Sequence, residues 1–149
     1  MREKISEALK TALKAGEKQR ASTLRMVNAA IQDRDIVNRG TGKGPAGEHE
    51  ILQILTKMVK QRQESAKAFE DGKRPELAAQ ENAEIAIISE FLPSQMEEGE
   101  AKTAIGQAIR DTGATGARDM GKVMAELKAK YPGRMDFGKA SGWVKELLQ

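Results

Sequence analysis

The sequence predicts an all-α protein, and three observations carry that prediction. Apolar residues recur at helical spacing along most of the chain, and nowhere do they alternate as a half-buried strand requires. Aromatic residues make up only 3% of the 149 positions, so the core has to be aliphatic, built from Leu, Ile, Val, Met and Ala. The chain relies on Ala, Leu, Met, Lys, Glu and Gln, which form helices best, rather than on the aromatic and β-branched residues that strands favour.

Taken in order, Ile5, Ala8, Leu9, Ala12 and Leu13 mark one face of a first helix that Gly16 stops. A second helix, about residues 17–38, carries Leu24, Val27, Ala30 and Ile31. It runs into N-R-G-T-G-K-G-P-A-G, where four glycines and Pro45 dictate a loop. A third, about 47–71, presents Ile51, Ile54, Leu55, Met58, Val59, Ala66 and Phe69 before Asp71-Gly72. Pro75 then stands where a first helical turn tolerates proline, and the fourth helix uses Leu77, Ala78, Ile85, Ile88, Phe91 and Leu92. So short a turn predicts an antiparallel hairpin. Folding it about Gly72–Lys73 sets Arg62 opposite Glu84, with Glu81 one turn away, and predicts a partly buried interhelical ion pair that fixes the register.

Pro93 divides the chain. Beyond it, Ser94-x-x-Glu97 has the form of a capping box, ahead of a stripe of Ala101, Ile105, Ala108 and Ile109 that ends at Gly113. A sixth helix, roughly 117–130, uses Met120, Val123, Met124 and Leu127 and is closed by Tyr131-Pro132-Gly133. A seventh, with Asp136 as its N-cap, presents Phe137, Ala140, Val144, Leu147 and Leu148. The expected organisation is a helical module over 1–92 and a compact three-helix tail over 94–149.

Composition excludes several kinds of chemistry. Without cysteine there is no disulfide and no thiolate metal site. No apolar run approaches the ~20 residues that span a bilayer, and the charged N-terminus cannot serve as a secretory apolar segment. A cytoplasmic location is the expectation. The net charge of +3 permits nucleic-acid binding without demanding it. Residues 118–145 are more basic than the whole, with Arg118, Lys122, Lys128, Lys130, Arg134, Lys139 and Lys145 against Asp119, Glu126 and Asp136.

The search for an active site names no residue. Acyl transfer needs a nucleophile oriented against a base, and the single histidine, His49 in G-E-H-E, reads as a surface residue at a helix start. Its neighbours Glu48 and Glu50 point away from it on a helix, so neither a metal nor a cofactor is expected. G-T-G-K-G-P lacks the G-K-[ST] ending and the preceding strand of a phosphate-binding loop and reads as a flexible connector. Gly121, Gly138 and Gly142 interrupt helices at a cost of about 1 kcal/mol each relative to Ala. Close helix packing is the favoured explanation. The alternative is close approach of an RNA backbone to free N–H groups.

The run D-M-G-K-V-M-A-E-L-K-A-K-Y-P-G-R-M-D (Asp119 to Asp136), followed by V-K-E-L-L, resembles the tail motif of the GatB/YqeY family. L-R-M-V-N-A-A-I (Leu24 to Ile31), K-Q-R-Q-E-S (Lys60 to Ser65) and E-F-L-P-S-Q-M (Glu90 to Met96) are similar to its free-standing members, so the resemblance spans essentially the whole chain. It implies a tail domain of the kind found at the end of the B subunit of the glutamine-dependent Asp/Glu-tRNA amidotransferase, where it helps to hold tRNA. Amide transfer there is done by a kinase-like cradle domain and a separate amidase subunit, both lacking in free-standing members. A label of carbon–nitrogen ligase would therefore describe the relatives better than this chain.

The resulting expectation is a non-catalytic tRNA-binding accessory protein, acting with an amidotransferase or an aminoacyl-tRNA synthetase and not with DNA or a membrane. Its RNA contacts would be Lys122, Lys128, Lys130, Arg134 and Lys139, with Arg118 and Lys145 in support. Because no aromatic platform accompanies them, contact would be to phosphate and shape. The alternative is a helical module that docks another protein and binds no RNA.

Overall fold

A computed structural model describes residues 1–148, and among them every regular element is helical. The helices are α1 (Arg2–Ala15), α2 (Lys18–Gly40), α3 (Glu48–Asp71), α4 (Pro75–Ser89), α5 (Glu98–Thr112), α6 (Met120–Lys130) and α7 (Phe137–Leu148), with a single 3₁₀ turn, Ala117–Asp119, leading into α6. The chain forms two compact units, Met1–Pro93 and Ser94–Gln149.

In the first unit α1 packs on α2 and α3 on α4, and α2 also rests on α4. The α1–α2 turn needs Gly16, whose φ of 72° lies in the left-handed region that side chains disfavour. Glu17 N–H then donates back to the Ala12 carbonyl at 3.0 Å. The α3–α4 turn puts Lys73 at φ 59° and starts α4 on Pro75. Ile5, Leu24, Val27, Ile31, Ile51, Ile54, Leu55, Met58, Ile88 and Phe91 make an almost purely aliphatic core. Leu13 is a correction to the sequence reading. It sits ~100° round the helix from the buried Ala12 and is 48% exposed.

Two polar arrangements fix this unit. The Arg62 Nε–H donates to Glu84 Oε2 at 3.0 Å between α3 and α4, with each side chain only 13% exposed. The same guanidinium donates to the Met58 carbonyl at 3.2 Å. This is the ion pair expected from the hairpin geometry. The second arrangement was not foreseen. Arg2 donates through both terminal nitrogens to Asp35, at 2.8 and 3.0 Å, and also to the Ala46 carbonyl at 2.9 Å. Asp35 in turn accepts the Ala46 N–H at 2.8 Å. The glycine-rich segment after α2 is thus pinned at its far end, where Ala46 is buried.

The second unit has its own core of Ala101, Ala104, Ile105, Ala108, Val123, Leu127, Met135, Ala140 and Val144. Small residues dominate α5, which lets α6 and α7 approach it closely. Asp136 caps α7 as expected, accepting the Gly138 N–H at 2.8 Å. The expected capping box does not form. Glu97, not Ser94, is the N-cap of α5, and no side chain bonds the helix start. Residues 94–96 instead run alongside the turn after α6: Met96 N–H donates to the Arg134 carbonyl at 2.8 Å, and Arg134 Nε–H to the Ser94 carbonyl at 3.0 Å. Leu147, expected on the apolar stripe of α7, is 49% exposed, and Leu148 packs on the core in its place.

Candidate nucleic-acid interface

The basic residues of the tail fall into two groups according to what their charged ends touch. Lys122, Lys128 and Lys139 are exposed. Lys122 lies on α6 opposite Val123 and Leu127, which are fully buried. Its ammonium stays 3.8 Å from Asp119, a distance that leaves it largely hydrated. Lys128 holds its ammonium 6.0 Å from the centre of the Phe137 ring, at the outer limit of a cation–π contact. Lys139, in the first turn of α7, has no ion-pair partner among the described residues, and the same holds for Arg118 and Lys145.

Lys130 and Arg134 are engaged within the tail. Lys130 lies between Glu126 at 2.8 Å and Asp111 at 3.2 Å. Hydrogen bonds to those two carboxylates, Glu126 first, raise its pKa above the ordinary lysine value. Asp111 is held below the usual carboxylate range by the Gln107 side-chain amide first and Lys130 second. Lys130 therefore ties the end of α6 to the end of α5. Arg134 is part-buried and joins the Tyr131–Arg134 turn to residues 94–96, its side chain donating to one strand of that contact and its carbonyl accepting from it. Neither tie is visible in a count of charges along the chain, because Asp111 and the Ser94 carbonyl lie on other segments, whereas Glu126 is on α6 itself.

The helix glycines revise the packing expectation. A methyl group added at Gly121 or Gly142 would meet nothing within 4 Å, and both residues are exposed. No neighbouring helix requires them to be small. Gly121 instead leaves open backbone beside Lys122 at the start of α6. Asp119, just before it, is held below its ordinary pKa chiefly by the Thr115 N–H at 3.0 Å.

The aromatic residues do not form a stacking surface: Tyr131, Phe137 and Trp143 are all packed against the tail core. Trp143 also carries Lys102 of α5, whose ammonium is 5.9 Å from its ring and 3.1 Å from Glu98. Lys102 lies outside the basic window read from the sequence, since only folding brings α5 beside α7. His49 is exposed in the first turn of α3. Among the described residues no three His, Asp or Glu side chains gather as metal ligands, and no helix is long and apolar enough to cross a membrane.

The curated relatives include the protein named "Altered inheritance of mitochondria protein 41, mitochondrial" from Clavispora lusitaniae, 35% identical over 86 residues that cover 58% of this chain and 48% of the relative. Its namesake in Saccharomyces cerevisiae is 29% identical over 84 residues, 56% of this chain and 44% of the relative. The chain thus spans about half the length of the curated relatives it matches. The family model described as Yqey-like protein matches residues 2–148, from the first turn of α1 to the last of α7. The chain belongs to the YqeY-like family.

Proposed function

We propose that this chain is a non-catalytic accessory protein that binds folded tRNA through its tail, working beside a tRNA-dependent amidotransferase. The observation that carries the reading is the separation of the tail's cations. Lys128 and Lys139 stand exposed without an ion-pair partner among the described residues, Lys122 is exposed with only a long 3.8 Å contact to Asp119, and Gly121 leaves the backbone open beside Lys122. Long side chains of this kind reach phosphate, and a phosphate contact releases the counterion it replaces. Lys130 and Arg134 are engaged by Asp111, Glu126 and the Ser94 carbonyl, and in this reading they support the tail rather than contact RNA. The amidotransferase association rests on the family resemblance, and any carbon–nitrogen ligase activity belongs to the catalytic parts of that enzyme. The cytoplasm is the proposed compartment; mitochondria, which the relatives' names specify, would offer the same ligand.

Filter retention of folded tRNA by the whole protein over a salt series tests this. Three phosphate contacts predict a log–log slope of roughly −2 to −3, similar for different tRNA species because phosphate carries no sequence information. Absence of retention at low salt would remove the RNA reading and leave the tail as a protein-docking module.

A further inference from the structure

The first unit leaves one helix apolar on two opposite sides. The inner side of α2, with Leu24, Val27 and Ile31, is fully buried in the core. On the outer side, helical spacing lines up Met26, Ala29, Ala30, Asp33, Ile36 and Val37. Three of the five large hydrophobic residues most exposed among those described lie here: Met26 at 37%, Ile36 at 63% and Val37 at 61%. A helix with a second apolar stripe opposite its buried one is expected to cover that stripe as well, and monomers rarely expose such clusters without a use for them.

Beside this stripe a groove of about 390 Å³ separates α2 from α3. Ala30 and Val37 line one wall, Ile54 and Met58 the other, with Asp33 and Lys57 among the polar residues that edge it. The lining residues recur at three and four positions on both helices, the ridge pattern into which a third helix packs. Arg34 is engaged by Glu50 at 3.5 Å. Asp33 and Lys57 are exposed and have no ion-pair partner among the described residues.

We propose that this groove is a self-association surface, in which a second copy of the chain lays the outer face of its own α2. A two-fold interface brings residue i of one copy to residue j of the other and, by symmetry, j to i. An unpaired acid on α2 and an unpaired base across the groove on α3 therefore complement themselves. Asp33 of each copy meets Lys57 of the other, while Ile36 and Val37 of each leave water over Ile54 and Met58. An unrelated helix would have to supply the apolar stripe and both charges; a second copy already carries all three.

Sedimentation velocity of the whole protein over a wide concentration range is the test, with far-UV circular dichroism confirming that the surface variants remain helical. The wild type is expected to show a monomer–dimer equilibrium, and Val37→Asp to be monomeric throughout. Asp33→Lys and Lys57→Glu should each weaken association about tenfold or more, and the double variant should restore it. A wild type that stays monomeric at every concentration overturns the proposal. So does a dimer indifferent to Val37→Asp or to the single charge reversals, or one that the double reversal fails to rescue. None of these residues belongs to the tail, so the outcome is independent of the tRNA reading.

Discussion

The two units use charge differently. In the first, arginines join segments far apart in sequence: Arg62 to Glu84, Arg2 to Asp35 and the Ala46 backbone, and Arg20 to Glu90. In the second, lysines dominate, and those with partners find them on the surface, as Lys102 does with Glu98 and Lys130 with Glu126 and Asp111. Arginine's planar fork suits the first task because it satisfies several acceptors at once, whereas lysine's hydrated ammonium suits a surface that meets mobile counterions. Side chains of the same formal charge thus bridge distant segments in the first unit, whereas in the second Lys122, Lys128 and Lys139 keep their charged ends exposed while Lys130 and Arg134 make the internal ties. Exposure and partners, rather than the sign of the charge, separate the two roles.

The comparison requires that the tail stand without the first unit. Residues 94–149 are expected to fold alone, since the segment has a core of its own around Ile105, Val123, Leu127 and Val144. Thermal melting of that fragment followed by circular dichroism should be cooperative and helical; a gradual melt with little helix would show that the units depend on each other.

Arg62→Ala should have the largest effect among single substitutions. Both partners are 13% exposed, so truncation strands the Glu84 carboxylate in a largely dry site. The expected loss is about 3 kcal/mol in urea unfolding, and the Arg62→Met/Glu84→Leu double variant should recover most of it. A loss under ~0.5 kcal/mol would mean that the two side chains reach water separately.

Acid sharpens the contrast further. Asp35 titrates below its ordinary value because it accepts hydrogen bonds from Arg2 first and from the Ala46 N–H second. A carboxylate depressed in the folded state contributes stability above its unfolded pKa of about 3.9, and loses it as pH falls toward the lower native value. Asp35→Asn should therefore be less stable than wild type near neutrality and lose less on acidification below about pH 4. Urea midpoints measured across that range would test this, and parallel curves for the two proteins would contradict it.

The smallest effect is expected at Ser94. Its side chain caps nothing, and the Arg134 contact uses its carbonyl. Ser94→Ala should change stability by less than ~0.5 kcal/mol, whereas loss of a working N-cap typically costs about 1 kcal/mol.

Helices and hairpins were legible in the sequence because they rest on local rules. The apolar period placed α1 to α7, Gly16 and Gly113 marked their ends, and Asp136 announced its own cap. The Arg62–Glu84 pair was legible for a related reason: a short turn converts distance from Gly72 into register. What the sequence could not reveal were contacts made by non-local backbone. Nothing around Ser94 signals that residues 94–96 lie along the Arg134 turn, so Ser94-x-x-Glu97 has the form of a capping box where the chain instead bonds to that turn. Likewise the basic window held five candidate contacts as equals. Only folding brings Asp111 to Lys130 and the Ser94 carbonyl to Arg134, dividing the five into three cations with no short polar contact and two tied to other segments of the tail.

That division is tested most directly by comparing salt slopes for tRNA binding among single alanine variants of the whole protein. Lys122→Ala and Lys139→Ala should each reduce the magnitude of the log–log slope by roughly 0.7–0.9, while Lys130→Ala leaves it unchanged. Equal reductions in all three, or none in any, would contradict the separation of binding from supporting cations.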